Sequence, residues 1–444
     1  MNLQGHFGYG RMLRYCLAPV LTMIFTSVYG VVDGFFISNF AGKTAFAAVN
    51  LVMPALMILA CLGLMFGSGG TALVAKTLGE DKPEQANRYF SMTMTAAAVC
   101  SIVLGIAGIV WMPDIARMLG AEPGMLLDCV EYGRSLLFFN LMATLQYFFQ
   151  PFFSAAGKPS LGFAFTVGAG LTNIVLDWLF IAVFGWGVPG AAIATGLGQS
   201  VGAIGPLLYF AWQKNRSLLR LVPALPEWKP LLRAAMNGLS ELLSNVAGSI
   251  VGILFNFQLL HYIGADGVAA FGVLMYVSMI FSAIFFGFSM GISPVISYNF
   301  GAGNHAELHS LLKKSLLLNG VFGIIMAFSA FGMAGILAHI FVGYDAALYA
   351  ITITAFHICC WSYLGSGLNV FLSAFFTALN NGAVSAAISV ARSLLLPVLF
   401  VFLLPVLIGV SGIWLSVVVT EIFGLLVALF FLFKENRRYQ YLKA

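Results

Sequence analysis

Long apolar runs, repeated along the whole chain, constrain this sequence more than any other feature. An α-helix rises about 1.5 Å per residue, so about 20 apolar residues cross the hydrocarbon core of a bilayer. Runs of that kind, separated by Gly, Pro and charged turns, fall at 12–38, 45–75, 88–112, 126–156, 161–183, 188–213, 233–263, 267–299, 308–340, 346–379, 382–405 and 411–434. Several exceed the bilayer's need, which implies tilt or extension into water. In hydrocarbon each backbone N–H and C=O must be satisfied internally, and a helix does this within one segment. The 444 residues are 61% hydrophobic and 8% charged, against about 25% charged in a soluble domain. The expected fold is therefore all-α and polytopic, with twelve transmembrane helices. The first run is long and lacks a small-residue cleavage site, so it is expected to remain as a span and not be removed as a signal peptide.

Basic residues orient the spans. With the N-terminus in the cytoplasm, the inner segments hold Arg11, Arg14, Lys76, Lys82, Arg88, Lys158, Lys214, Arg216, Arg220, Lys229, Arg233, Lys313, Lys314, Lys434, Arg437, Arg438 and Lys443. The outer segments hold only Lys43, Arg117 and Arg134, and Arg392 lies within span 11. Both termini are expected inside, and the net charge of +5 is a matter of membrane orientation and does not point to nucleic acid. The longest polar connection, 213–232, divides the chain near its midpoint. A shift of 222 residues superposes Gly42 on Gly264, Gly69 on Gly291, Gly79 on Gly301, Gly187 on Gly409 and Gly190 on Gly412. One constant register across half a chain marks a duplicated six-helix unit. Six is even, so both copies enter from the same side and form a parallel repeat about an axis along the membrane normal. The expected organisation is an N-terminal lobe (1–212), a cytoplasmic linker (213–232) and a C-terminal lobe (233–444), with a cleft between two six-helix bundles.

Acids within spans are costly, roughly 2.5–3.5 kcal/mol each on insertion scales, and normally face a cavity or a partner. Four occur: Asp33 in span 1, Asp177 in span 5, Glu241 in span 7 and Glu421 in span 12. The repeat places Phe255, Leu399, Pro19 and Gln199 at the corresponding positions. No acid is shared between the halves, which favours functions specific to each lobe. Gly30 and Gly34 flank Asp33 and let another helix approach; Pro19 earlier in the span removes a backbone hydrogen bond and predicts a bend. Asn173 and Asp177 are four residues apart, on one helix face, and Thr195 follows in span 6. Asp33, Asn173, Asp177 and Thr195 together offer two carboxylates, an amide oxygen and a hydroxyl, a donor set for a hard cation such as Na+; two adjacent carboxyls alone suffice for a proton. Glu241, with Asn237 and Asn245 nearby, is a candidate contact for cationic cargo or a second coupling acid. Glu421 and Arg392 are read as a buried ion pair. His305 and His309 lie behind Asn304 and Glu307, which mark a capped helix start and not a metal site. The six cysteines show no paired spacing, and GxxxxGK[ST] is absent, so neither disulfides nor ATP hydrolysis is supported. Phe and Met side chains in a cleft would suit flat cations through cation–π contact and adaptable packing.

Four stretches carry a family resemblance: Pro19 with VVDGFF in span 1, GEDKPEQANRYF (79–90), NIVLDWLF (173–180) followed by GVPGAAIAT (187–195), and SPVISYNFGAGN (293–304). In combination they resemble the multidrug and toxic compound extrusion (MATE) transporters and cover most of both halves. The resemblance implies a bacterial or archaeal inner-membrane antiporter driven by Na+ or H+, with no cofactor, and an ion site at Asp33, Asn173, Asp177 and Thr195. Other branches of the family use acids on spans 7 and 10. Span 7 here has Glu241, but span 10 has no acid and only His357. Four acids against one arginine within the spans favour organic cations or amphipathic drugs as cargo. A lipid-linked saccharide flippase is the alternative, and it would call for a cleft lined by many Arg. An intramembrane enzyme would need a nucleophile–base pair or metal cluster, and none is present in the pattern. A monomer is expected.

Overall fold

The computed structural model describes residues 3–212 and 217–442; Lys214, Arg216 and Lys443 of the basic inventory, and the first residues of the expected linker, lie outside them. Among the described residues eleven helices are long and apolar enough to cross a membrane: spans 1 to 3 at Tyr9–Ala41, Thr44–Gly79 and Pro83–Met118, spans 5 to 8 at Pro159–Val183, Gly187–Ala211, Trp228–Tyr262 and Ala265–Gly301, and spans 9 to 12 at His305–Val342, Ala346–Ala378, Gly382–Ile408 and Val410–Tyr439. The bent pair Leu126–Phe138 and Asn140–Ala155 supplies span 4 and brings the total to twelve. Chain punctuation follows local chemistry. Pro83 and Pro159 open their helices, where a missing N–H costs nothing. The Asn304 and Asn381 side chains cap spans 9 and 11.

Several predicted boundaries shift, span 3 to Pro83–Met118 and the end of span 12 to Tyr439, and two further changes alter the reading. Span 4 is not one straight helix over 126–156; it bends by 56° at Phe139. There Asn140 Nδ2 donates to the Ser101 carbonyl (3.0 Å) and hydroxyl (2.8 Å) of span 3. The Phe139 ring fills the space over Gly196, where a Cβ would collide with it. Span 7 begins at Trp228, so the last part of the 213–232 connection is already helical. Span 1 passes through Pro19 as one helix, and π-helical turns occupy Ile37–Ala41, Trp178–Val183 and Ala391–Leu395. Such turns are often found at functional sites.

The repeat is visible in three dimensions. Gly42 and Gly264 take φ +98° and +91° at the turns into spans 2 and 8, a region that glycine enters at no steric cost. Spans 2 and 8 then cross in close contact between the lobes. A Cβ on Gly79 would collide with the Tyr298 carbonyl, and one on Gly301 with the Lys76 carbonyl. Residues 76 and 298 are themselves 222 apart, so the two clashes are one contact repeated across the pseudo-two-fold axis. Gly69 likewise lies against Ala234 and Gly238 of span 7, as Gly291 lies against Cys16 and Pro19 of span 1.

These contacts gather at one end, the end rich in Lys and Arg. One apolar core there joins Phe7, Met12 and Tyr15 to Phe288 and Ile292 of span 8 and Phe371 and Phe375 of span 10. A second joins Ala234 of span 7 to spans 2, 3, 4 and 6. At the opposite end the cores stay within single lobes, around Val52, Tyr132 and Ala191 in the first and Phe255, Trp414 and Val277 in the second. The lobes are therefore sealed at the basic end and separate at the other.

Candidate ion site and central cavity

Asp33, Asn173, Asp177 and Thr195 come together inside the N-terminal lobe. Asp33 is 7% exposed, Asn173 2% and Asp177 0%. Asn173 Nδ2 donates to Thr195 Oγ1 (3.3 Å), and Thr195 Oγ1 donates to Asp33 Oδ1 (3.5 Å). The Asp33 and Asp177 carboxyls are neighbours in this buried cluster. Yet both Asp177 oxygens and Asn173 Oδ1 are buried without a hydrogen-bond donor from the protein. A buried carboxyl without a donor, beside a second carboxyl, needs a cation or a shared proton between them. The helices explain the convergence. Asn173 and Asp177 share one face of span 5, and Asp177 is the last α-helical residue before the π-helical turn Trp178–Val183. Close approach of span 6 depends on Gly198, whose Cβ would fall 2.8 Å from the Ala169 carbonyl. Among the described residues, no three His, Cys, Asp or Glu side chains meet as a metal-binding group.

This cluster does not open onto the central cavity. That cavity holds about 400 Å³ and is lined from both lobes, by spans 1, 2, 4, 7, 8, 10 and 11. Span 1 is common to both places: Met23, Thr26 and Ser27 line the cavity, and Asp33 lies two turns further along. Between them and Pro19, Thr22 and Thr26 return hydrogen bonds to the carbonyls of Ala18 and Thr22, a pattern that loosens and bends helices. Pro19 itself is buried, against Gly291.

Glu241 lines the cavity, and no described residue pairs with its carboxylate. The predicted neighbours do not serve it. Asn245 Nδ2 donates to the Glu241 backbone carbonyl (2.9 Å), and Asn237 Nδ2 donates to the Thr377 carbonyl (2.8 Å). Arg392 and Glu421 form the expected ion pair, with Nη2 2.9 Å from Oε1 and Nε 3.0 Å from Oε2. His305 and His309 follow the Asn304 cap, and His309 Nδ1 lies 3.0 Å from the Tyr441 carbonyl. His357 stacks on Phe331, their centroids 4.4 Å apart.

Sequence reasoning passed over Asn369, whose Nδ2 lies 2.6 Å from Glu421 Oε2, and the hydroxyl lining of the cavity. The second was readable as spacing. Ser282, Ser289 and Ser293 in span 8, and Ser389 and Ser393 in span 11, recur at helical intervals and line the cavity. Of the Phe and Met side chains that would suit flat cations, Phe286, Met23, Met279 and Met290 lie on the cavity wall among the described residues.

Twelve helices in two parallel six-helix lobes, with a cavity of about 400 Å³ between them and acids buried within the spans, have the build of a membrane transporter. The MatE family model matches residues 19–179 and 242–403, once in each half, and the chain belongs to that family. It is 22% identical to the multidrug export protein MepA of Staphylococcus aureus (strain N315) over 92% of this chain and 90% of that one. A MATE transporter solved in complex with MaL6 superposes with a TM-score of 0.92 at 21% identity, over 99% of this chain and 98% of that one. A multidrug resistance MATE transporter solved in the outward-facing conformation gives 0.90 at 21% identity, over 97% and 96%.

Proposed function

We propose that the protein is a multidrug antiporter of the bacterial cytoplasmic membrane, exporting organic cations and amphipathic compounds in exchange for Na+ or H+ by alternating access. One observation supports the ion-coupled part: the Asp33–Asp177 pair is buried, and both Asp177 oxygens and the neighbouring Asn173 Oδ1 lack donors. A proton between the carboxyls, or Na+ held by them with Asn173 Oδ1 and Thr195 Oγ1, satisfies the site. The export of drugs is supported by the MepA relatives and by a cavity of drug size.

In this reading 1–212 and 233–444 move as two lobes joined by the cytoplasmic connection 213–232, and both termini lie in the cytoplasm. The sealed basic end then faces the cytoplasm and the cavity opens outward. Cargo is released outward and the ion enters the N-terminal lobe. Because span 1 touches both places, occupying one biases the geometry of the other. Ion and drug then oppose each other's binding, reciprocally. A monovalent ion crossing 100 mV releases about 2.3 kcal/mol, which sustains roughly a 50-fold gradient of a neutral compound. Against a monocation exchanged one for one the voltage term cancels; the two carboxyls leave room for a second ion and electrogenic export. A flippase of lipid-linked saccharides has less support, since among the described residues Arg392 is the lone arginine on the cavity wall.

The test is dye efflux in proteoliposomes, with the Na+ and proton gradients imposed separately. Efflux should follow one of them and stop when it is collapsed. Efflux indifferent to both gradients would refute ion coupling.

A further inference from the structure

The cavity that holds Glu241 also holds Arg392, and hydroxyls build much of its wall. Resting on the export reading above, we propose that the preferred cargo is zwitterionic: a cationic nitrogen for Glu241 and a carboxylate for Arg392, on a body that accepts hydrogen bonds.

Arg392 is held as an anion receptor would be held. Glu421 takes Nε and Nη2 of the guanidinium through three hydrogen bonds of 2.9–3.1 Å. Asn369 fixes the carboxylate from behind, through Nδ2 to Oε2. Nη1 has no partner among the described residues. Glu421 is buried and does not line the cavity, so the guanidinium is the part of the pair that cargo meets. A planar guanidinium edge with a free N–H pair suits a carboxylate. The π-helical turn Ala391–Leu395 places Arg392 on the cavity side of span 11.

Glu241 and Arg392 face one cavity without pairing with each other, so the wall presents separate charges of both signs. Their surroundings are polar as well. Thr71 and Ser289 are 2% and 3% exposed, and with Ser68 they keep hydroxyls that have no protein partner. A flat lipophilic cation would leave these hydroxyls and Nη1 unsatisfied, which is the costly outcome for buried polar groups. A site built around hydrogen-bonding groups discriminates against analogues that lack the matching group.

Rhodamine 123 and rhodamine 110 test this, since they share one xanthene body and differ as methyl ester and free carboxylate. Binding to purified protein is read by fluorescence polarisation, and ion-driven efflux in proteoliposomes. The parent should bind rhodamine 110 roughly tenfold more tightly, the ratio that one charge-assisted hydrogen bond supports. The double variant Arg392→Gln/Glu421→Gln leaves no buried charge unpaired, and its folding is checked by thermal melting. It should bring the ratio of the two dissociation constants close to one, and Arg392→Lys should keep part of the preference. Rhodamine 123 exported on an ion gradient with no preference for rhodamine 110 overturns this inference and leaves the export reading intact. An unchanged ratio in the double variant overturns it too. Neither dye moving on any gradient overturns both.

Discussion

Replacing Gly79 with alanine should drive the protein out of the state described here. In the crossing of spans 2 and 8 the added methyl group meets the Tyr298 carbonyl, a backbone atom that cannot turn aside. Overpacking of this kind costs about 1–3 kcal/mol, and it is relieved only when the lobes part at the basic end. The balance between the two cleft states should then shift roughly 5- to 150-fold. Helix propensity acts in the opposite sense, since alanine favours a helix over glycine by up to about 1 kcal/mol. A shift toward cytoplasmic opening therefore reports the contact and not the local helix. The assay is thiol labelling at Ser244→Cys, on the cavity wall, after replacement of the six native cysteines. Membrane-impermeant maleimide is applied to right-side-out and to everted vesicles. Labelling from the cytoplasmic face should rise and labelling from outside should fall. Gly301→Ala makes the symmetric clash with Lys76 and should act in the same direction with similar size. An unchanged ratio of labelling in both variants would refute the reasoning.

Further expectations concern topology, cargo and stability. In a cysteine-free background on whole cells, impermeant reagent should label Lys43→Cys and spare Ser217→Cys; the reverse pattern would overturn the orientation. Glu241→Gln should weaken export of cationic compounds about tenfold, one lost charge interaction, and affect neutral compounds much less; equal losses would assign Glu241 a structural role. Arg392→Leu leaves the Glu421 carboxylate buried and unpaired and should destabilise the protein by about 3 kcal/mol, whereas Arg392→Met/Glu421→Leu should melt near the parent temperature. Equal melting of the single and double variants would contradict this pairing.

Much of the architecture was legible because its causes are periodic or repeated. Apolar runs located all twelve spans, and the 222-residue register revealed the duplication, whose matched glycines take equivalent places in the two halves. Asn173 and Asp177 were placed together by a four-residue spacing, and Arg392 and Glu421 by the cost of leaving either charge alone. The bend at Phe139 depends on where Ser101 and Gly196 lie in other spans, which no local pattern encodes. Span 7 reaches back to Trp228 because Pro230 falls in the first helical turn, where a missing N–H is tolerated, so the proline does not end the helix. Whether a Phe faces lipid, core or cavity is decided by helix rotation, so the near absence of aromatic residues from the cavity had no signature in the composition. The serine spacing on spans 8 and 11 did carry that information.

Drug binding in detergent, measured as Na+ and pH are varied independently, tests the coupling at Asp33 and Asp177 most directly. In the parent, raising one of the two ions should weaken binding, because ion and drug stabilise opposite cleft states. Asp33→Asn and Asp177→Asn should each abolish that competition and the ion-driven efflux while the protein still inserts and binds drug. Normal pumping by Asp33→Asn, or drug binding indifferent to both ions in the parent, would contradict the account.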